Sequence, residues 1–176
     1  MRIISGQYKG KTIMPPLGFK ARPTTDYAKE SLFNILVNKF DFEEIKVLDL
    51  FAGTGGISYE FASRGCRYID AVEINPIHYS FIKATTRKLD FKQIHVIRND
   101  AFKFLHFCTE TYDIIFADPP YTFEGIEEIP LTVFNRNLLN EGGRAVLEHS
   151  DSEDLSHIER FDYKRHYGNV NFSFFR

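Results

Sequence analysis

Two short stretches of this chain combine residue types that do chemistry. The first is Asp118-Pro119-Pro120-Tyr121, which follows the apolar run Tyr112–Ala117. An exocyclic amine on a base is a poor nucleophile, because its lone pair is delocalised into the ring. The Asp118 carboxylate and a main-chain carbonyl such as that of Pro119 can accept both amine hydrogens, and those bonds strengthen as positive charge develops on an attacking nitrogen. The prolines fix φ and bring no N–H of their own, so such a turn presents acceptors. Tyr121 offers a face on which a flat base can stack, which aims the nitrogen. Asp118 is then placed to take the proton that the amine gives up. A merely rigid turn would read the same way; its place after a strand favours the chemical reading.

The second stretch is Lys46-Val-Leu-Asp-Leu-Phe-Ala-Gly-Thr-Gly-Gly56. Val47 to Ala52 is apolar except for Asp49, as expected of a strand buried on both faces of a parallel sheet. Gly53, Gly55 and Gly56 then turn the backbone sharply, and a helical pattern runs from Ile57 towards Arg64. Glu73 ends the next apolar run, about twenty residues past Gly53, the usual spacing for an acid that binds ribose hydroxyls. The glycine spacing is not that of a dinucleotide fingerprint, and no Gly-Lys-Ser/Thr follows. Asp49 can meet a cationic amine. An adenosine-like ligand with a cationic tail fits better than NAD or ATP, and S-adenosylmethionine is that ligand. Asp100, after the run Ile94–Ile97, can accept from an adenine amine with Ala101 against the ring, although it would equally suit a helix cap.

The elements that must hold these residues can be taken in chain order. Arg2–Ile4 and Lys11–Met14 read as two short strands of a hairpin. Pro15, Pro16 and Gly18 break the pattern, and a loop with Lys20 and Arg22 leads to Pro23. Thr24 or Thr25 caps a helix whose apolar face is Ala28, Leu32, Ile35 and Leu36. Asn75-Pro76 starts a helix to about Leu89, Ile94–Ile97 is a strand, and a short helix holds Phe102, Leu105 and His106. After the strand Tyr112–Ala117, a helical region is expected to reach about Leu139. Glu141-Gly142-Gly143 should then turn into a strand over Arg144–Glu148. Phe161–Tyr167 and Val170–Phe175 form two strands joined at Gly168-Asn169. The alternation predicts an α/β fold, a Rossmann-like seven-strand sheet with helices on both faces and an antiparallel strand at its end, the class I S-adenosylmethionine-dependent methyltransferase pattern. Residues 1–22 form an N-terminal hairpin extension and residues 23–176 the main domain.

Composition is that of an ordinary globular chain: 176 residues, 43% hydrophobic, 26% charged, net charge −2. That balance argues against indiscriminate coating of nucleic acid. The first thirty residues nonetheless carry six basic side chains against two acidic ones, a basic head on an acidic body. Such a head fits contact with a phosphate backbone, and as a charge excess it would equally fit a solvated face. Cys66 and Cys108 match no metal or redox spacing, the six histidines show no ligand pairing, and no metal is expected. No run is long and apolar enough for a membrane span and no signal-like start is seen, so a cytoplasmic monomer without a membrane partner is expected.

Arg2-Ile-Ile-Ser-Gly6 with Lys9-Gly-Lys11, Arg22-Pro-Thr-Thr-Asp26, Leu32-Phe-Asn34, Asp49-Leu-Phe-Ala-Gly-Thr-Gly55, Glu73, Asp100-Ala101, Asp118-Pro-Pro-Tyr121 and Tyr167-Gly168 together resemble the bacterial RsmD family, 16S ribosomal RNA guanine-N2 methyltransferases. The resemblance spans nearly the whole chain. Its glycine and Asp-Pro-Pro-Tyr motifs are shared by many amino-methyltransferases, and the Arg-Pro-Thr-Thr-Asp start is the more specific. It implies that Asp49, Phe51, Gly53, Gly55, Glu73, Asp100 and Ala101 bind S-adenosylmethionine. It implies that Asp118, Pro119 and Tyr121 hold the flipped guanine. It further implies that Arg2, Lys9, Lys11, Arg22, Pro23 and Thr24 reach 16S RNA, free or within an assembling small subunit. Gly56 and the weakly basic Lys11-Thr-Ile-Met14 depart from the family pattern. The rival readings are an adenine-N6 or glutamine-amide methyltransferase and a catalytically silent RNA-binding protein.

Overall fold

The computed structural model describes residues 1–16, 19, 24–121 and 123–176. The apolar run around Asp49 forms β1 (Lys46–Leu50), which lies parallel between β2 (Tyr68–Val72) and β4 (Tyr112–Ala117). β3 (Ile94–Ile97) pairs outside β2, and β5 (Leu139–His149) outside β4, both parallel. β7 (Val170–Phe175) runs antiparallel between β5 and β6 (Phe161–Tyr167), giving a seven-stranded sheet in the order 3-2-1-4-5-7-6. The order reverses between β1 and β4, and crevices for ligands open at the carboxyl ends of strands at such a point.

Side chains alternate across the sheet with the period of two that extended backbone imposes. Val47, Ile69, Ile114, Phe116 and Val146 pack with apolar residues of α1 (Asp26–Leu36), α2 (Gly56–Ser63) and α3 (Pro76–Lys88) on one face. Leu48, Leu50, Ile115, Ala117 and Leu147 pack with α4 (Ala101–Phe107) and α5 (Glu128–Asn135) on the other. The helix starts follow the residues that the sequence marks. Thr25 accepts from the Ala28 amide, Asn75 from Ile77 with Pro76 just inside the helix, and Asp100 from Lys103. Each such cap contributes about 1 kcal/mol.

Two segments differ from the sequence reading. α5 stops at Asn135 rather than near Leu139, because Asn137 turns to φ 51° and the Leu138 amide bonds back to the Val133 carbonyl. Leu138 is buried and its carbonyl accepts from Tyr112, so the chain enters the sheet there. β5 consequently begins at Leu139 and carries the glycines within it, at an irregularity in its pairing with β4. The two N-terminal strands are reduced to one antiparallel bridge, Arg2 with Thr12, flanked by the bonds Ile3 N to Lys11 O and Ile13 N to Met1 O.

That N-terminal turn is held by α2. The Glu60 carboxylate is fully buried and accepts from the amides of Ile4 (2.8 Å) and Ser5 (3.0 Å) and from Arg64 Nε (2.8 Å). Lys29 of α1, also buried, lies 3.8 Å from it and donates to the Arg2 carbonyl. Ile3 and Ile13 thereby join the core shared by α1 and α2. Gly6 has φ +80°, and a Cβ there would stand 1.8 Å from the Ser63 carbonyl oxygen, so only glycine allows the turn to lie against α2.

Candidate active site

Three acids reach the same face of the sheet at the carboxyl ends of neighbouring strands. Leu48 and Leu50 point towards α4 and α5, so Asp49 between them points the other way. Asp118 follows Ala117 at the end of β4. Glu148 follows Leu147 in β5, where Ala117 and Leu147 are partners in register. Asp118 and Glu148 are therefore adjacent across two strands and share a face. Burial is the main reason that the Asp118 carboxyl holds its proton well above the usual carboxylate range, and the charges of Glu148 and Asp49 add to the effect.

Asp49 is buried and accepts from the Ser58 amide (3.1 Å) and the Ser58 hydroxyl in the first turns of α2. Burial pushes its pKa up to about 7, against the two Ser58 bonds, which pull it down; the Glu73 charge raises it further. The turn between them is shaped by backbone. Phe51 has φ 58° and Gly55 φ 82°, and a Cβ on Gly55 would meet the Tyr59 ring at 2.6 Å. Glu73, just past β2, accepts from the Gly53 amide (2.8 Å) and the Asn75 amide (2.7 Å), tying the glycine turn to the neighbouring strand end. Asp100 receives the Lys103 amide at 2.9 Å, which is the cap alternative that its sequence allowed. Ala101 is buried beside it. Phe51 meets the Phe123 ring edge-on at 5.5 Å, and Phe123 stacks on Phe102 at 5.5 Å, an aromatic wall next to Asp100.

A second cleft lies past β4 and β5. Pro119, Pro120, Tyr121, Phe123, Glu148 and His149 are among the residues that line it. Pro119 is buried, whereas Tyr121 is 48% exposed and presents its ring. His149 is buried, bonded through Nε2 to Ser173 Oγ (2.8 Å), and burial lowers its pKa. Thr24, immediately before α1, donates its hydroxyl to Glu148 Oε2 at 2.7 Å. Of the other basic-head residues, Lys9 and Lys11 are exposed on the N-terminal turn. Arg2 is exposed and its Nε pairs with Asp26 at 3.1 Å. Arg22 and Pro23, like Gly18 and Lys20, lie outside the described residues. Asp49, the glycine turn, Glu73 and Asp100 thus stand at the carboxyl ends of the neighbouring strands β1, β2 and β3, Asp118 to Tyr121 follow β4 on the other side of β1, and Lys9 and Lys11 lie on the N-terminal turn.

Sequence reasoning passed over Ser58, Phe102, Phe123 and above all Glu148. The last was readable: Arg144-Ala-Val-Leu-Glu148 is an apolar run that ends in an acid, the same signal that singled out Glu73.

A family model described as "Conserved hypothetical protein 95" matches residues 1–176 of this chain. The chain belongs to this RsmD-like family. YlbH of Bacillus subtilis is 35% identical over 159 residues, spanning 88% of this chain and 85% of the relative. The ribosomal RNA small subunit methyltransferase D of Buchnera aphidicola is 32% identical over 153 residues, 86% of this chain and 77% of the relative. A solved Thermus thermophilus protein matches the fold with TM-score 0.88 at 24% identity, covering 100% of this chain and 99% of that one. The fold is shared with SMU.776, solved in complex with SAH, at TM-score 0.68 and 15% identity over 83% of this chain and 48% of that one, and the cofactor expected from the sequence is S-adenosylmethionine. The donor set suits it, since carboxylates stand at three strand ends around a glycine turn and an aromatic wall. Those groups complement an ammonium, ribose hydroxyls and an adenine amine.

Proposed function

We propose that this protein transfers a methyl group from S-adenosylmethionine to the exocyclic N2 of a guanine in small-subunit ribosomal RNA, in the cytoplasm. Family membership supports ribosomal RNA as the substrate, since two curated relatives are named ribosomal RNA small subunit methyltransferase D. The observation that carries the amine chemistry is the placement of Asp118-Pro119-Pro120-Tyr121 at the end of β4, beside the cofactor crevice at the end of β1. When bound, the cofactor supplies an electrophilic methyl on a sulfonium. Asp49, Phe51, Gly53, Gly55, Glu73, Asp100 and Ala101 would hold it.

The residues of the second cleft do the rest. A base leaves its stack at a cost of a few kcal/mol, least in a loop. Tyr121 receives its face. The Asp118 carboxylate and the Pro119 carbonyl accept the two amine hydrogens, which keeps the nitrogen lone pair aimed at the cofactor crevice. Asp118 then takes the proton that the amine loses. Because Asp118 must be ionised to accept, and holds its proton above the usual range in the free protein, turnover should rise with pH through that raised pKa. Arg2, Lys9, Lys11, Arg22, Pro23 and Thr24 would meet the RNA, so affinity should fall as salt rises.

The test uses small subunits and free 16S RNA from cells lacking this methylation, incubated with the protein and methyl-labelled S-adenosylmethionine and digested to nucleosides for mass spectrometry. Labelled N2-methylguanosine is expected. Label in N6-methyladenosine or in protein would overturn the choice of base. Cofactor binding without label in any RNA would overturn the reaction.

A further inference from the structure

The guanine reading leaves one question that the site's own acids address: what distinguishes guanine from another base that presents an exocyclic amine. On the Watson–Crick edge of guanine, the N2 amine is flanked by N1–H, a second donor. A base whose N1 carries a lone pair instead, as in 2-aminopurine or adenine, offers a donor beside an acceptor. A protein reads that difference by the sign of one hydrogen bond.

We propose that Glu148 is a specificity residue of the active site, accepting the N1–H of the flipped guanine while Asp118 accepts from N2. This rests on the guanine-N2 reading above. Four observations support it. Glu148 lines the cleft with Pro119, Pro120 and Tyr121. It lies next to Asp118 through the Ala117–Leu147 register, so the two acids stand on neighbouring strands and face the same side of the sheet. It is buried, so that a lone pair brought against it would be repelled without water to relieve the contact. Its orientation is fixed by the Thr24 hydroxyl at 2.7 Å, which brings Thr24 itself to the edge of the site. The Glu148 charge raises the affinity of Asp118 for a proton, and two acids set so close cost stability that a purely structural role would not require.

The experiment is a cycle of two proteins and two bases. 16S RNA is ligated so that the position found methylated carries guanine or 2-aminopurine, then assembled into small subunits. Each is offered to the wild type and to Glu148→Gln, and initial rates of N2 methylation are compared. 2-Aminopurine keeps the amine and replaces N1–H by a lone pair. It also lacks O6, but that loss is common to both proteins and cancels in the cycle. The glutamine keeps an oxygen for Thr24 and can donate to N1. The wild type should prefer guanine by about a hundredfold, and E148Q should lower the guanine-to-2-aminopurine ratio by about tenfold or more. The ratio is insensitive to how much of the variant is folded. An equal ratio in both proteins overturns the assignment, as does an E148Q protein that is inert on both bases while still binding cofactor. Failure of the wild type to methylate guanine N2 at all would instead overturn the reading on which the inference rests.

Discussion

Two groups of acid on the same face of the sheet show how differently a carboxylate can be housed. Glu60, in α2, is saturated: two amides, the Arg64 guanidinium and the Lys29 ammonium converge on it. Asp118 and Glu148, about a strand's width apart at the ends of β4 and β5, are set against each other. The first arrangement fixes the N-terminal turn to the body. The second raises the affinity of Asp118 for a proton, which is costly unless a donor-rich ligand enters. A satisfied acid builds the molecule, whereas on the proposed function an acid placed beside another acid serves the substrate.

Glu60→Ala should break the first group most severely. It leaves the Lys29 ammonium buried and two amides unpaired, and should cost about 3–5 kcal/mol in urea unfolding. A loss below about 1 kcal/mol would show that water replaces the carboxylate easily. Asp118→Asn should do the opposite. Turnover should fall about 10²–10³-fold, while the melting temperature of the free protein near pH 8 rises by about 2–4 °C. The sign follows from linkage. A carboxyl whose folded pKa is raised favours folding only while protonated, so its contribution fades as pH climbs above the unfolded value of about 4. Removing the charge should abolish that decline, and a melting temperature unchanged at pH 8 would contradict it.

The site was legible in proportion to how local its signals are. Asp49 was singled out because it interrupts an apolar strand just before a glycine turn, and Glu73 and Asp118 because each follows an apolar run at a recognisable turn. Strands β3, β4, β6 and β7 follow their sequence bounds because short apolar runs between turn residues leave little choice. The end of α5 was missed because Asn137, not a glycine, takes the left-handed conformation that stops it, and because β5 absorbs its own glycines. The Thr24–Glu148 bond spans 124 positions and no local pattern announces it. Nor does sequence spacing say that Glu60 would receive the amides of residues 4 and 5.

Smaller changes sharpen the comparison. Ser58→Ala removes a bond that holds the Asp49 pKa down near 7, so Asp49 should stay protonated to higher pH. The bond contributes about 0.5–1.5 kcal/mol. Titration calorimetry should therefore show cofactor binding several-fold weaker at pH 6.5 (a value about midway in the Asp49 transition) and nearly restored at pH 8.5. Equal weakening at both values would mean that the hydroxyl only shapes the turn. The smallest effect is expected for Lys9→Ala with Lys11→Ala. Each removes one exposed charge, so RNA affinity should fall a few-fold and the slope of log affinity against log salt should shrink by about 1–2. Unchanged salt dependence would move the RNA contact elsewhere.

The place of β7 in the sheet has a consequence for how the enzyme comes into being. β5, which carries Glu148, gains its second neighbour from residues 170–175, the last strand in chain order. Thr24, the hydroxyl partner of Glu148, precedes it by 124 positions and so is synthesised well before it. Thr24 must therefore wait for residues 170–175 before the cleft beside Glu148 can close, and a nascent chain halted before β7 would carry Asp49, Asp118 and Glu148 with β5 still lacking a neighbour.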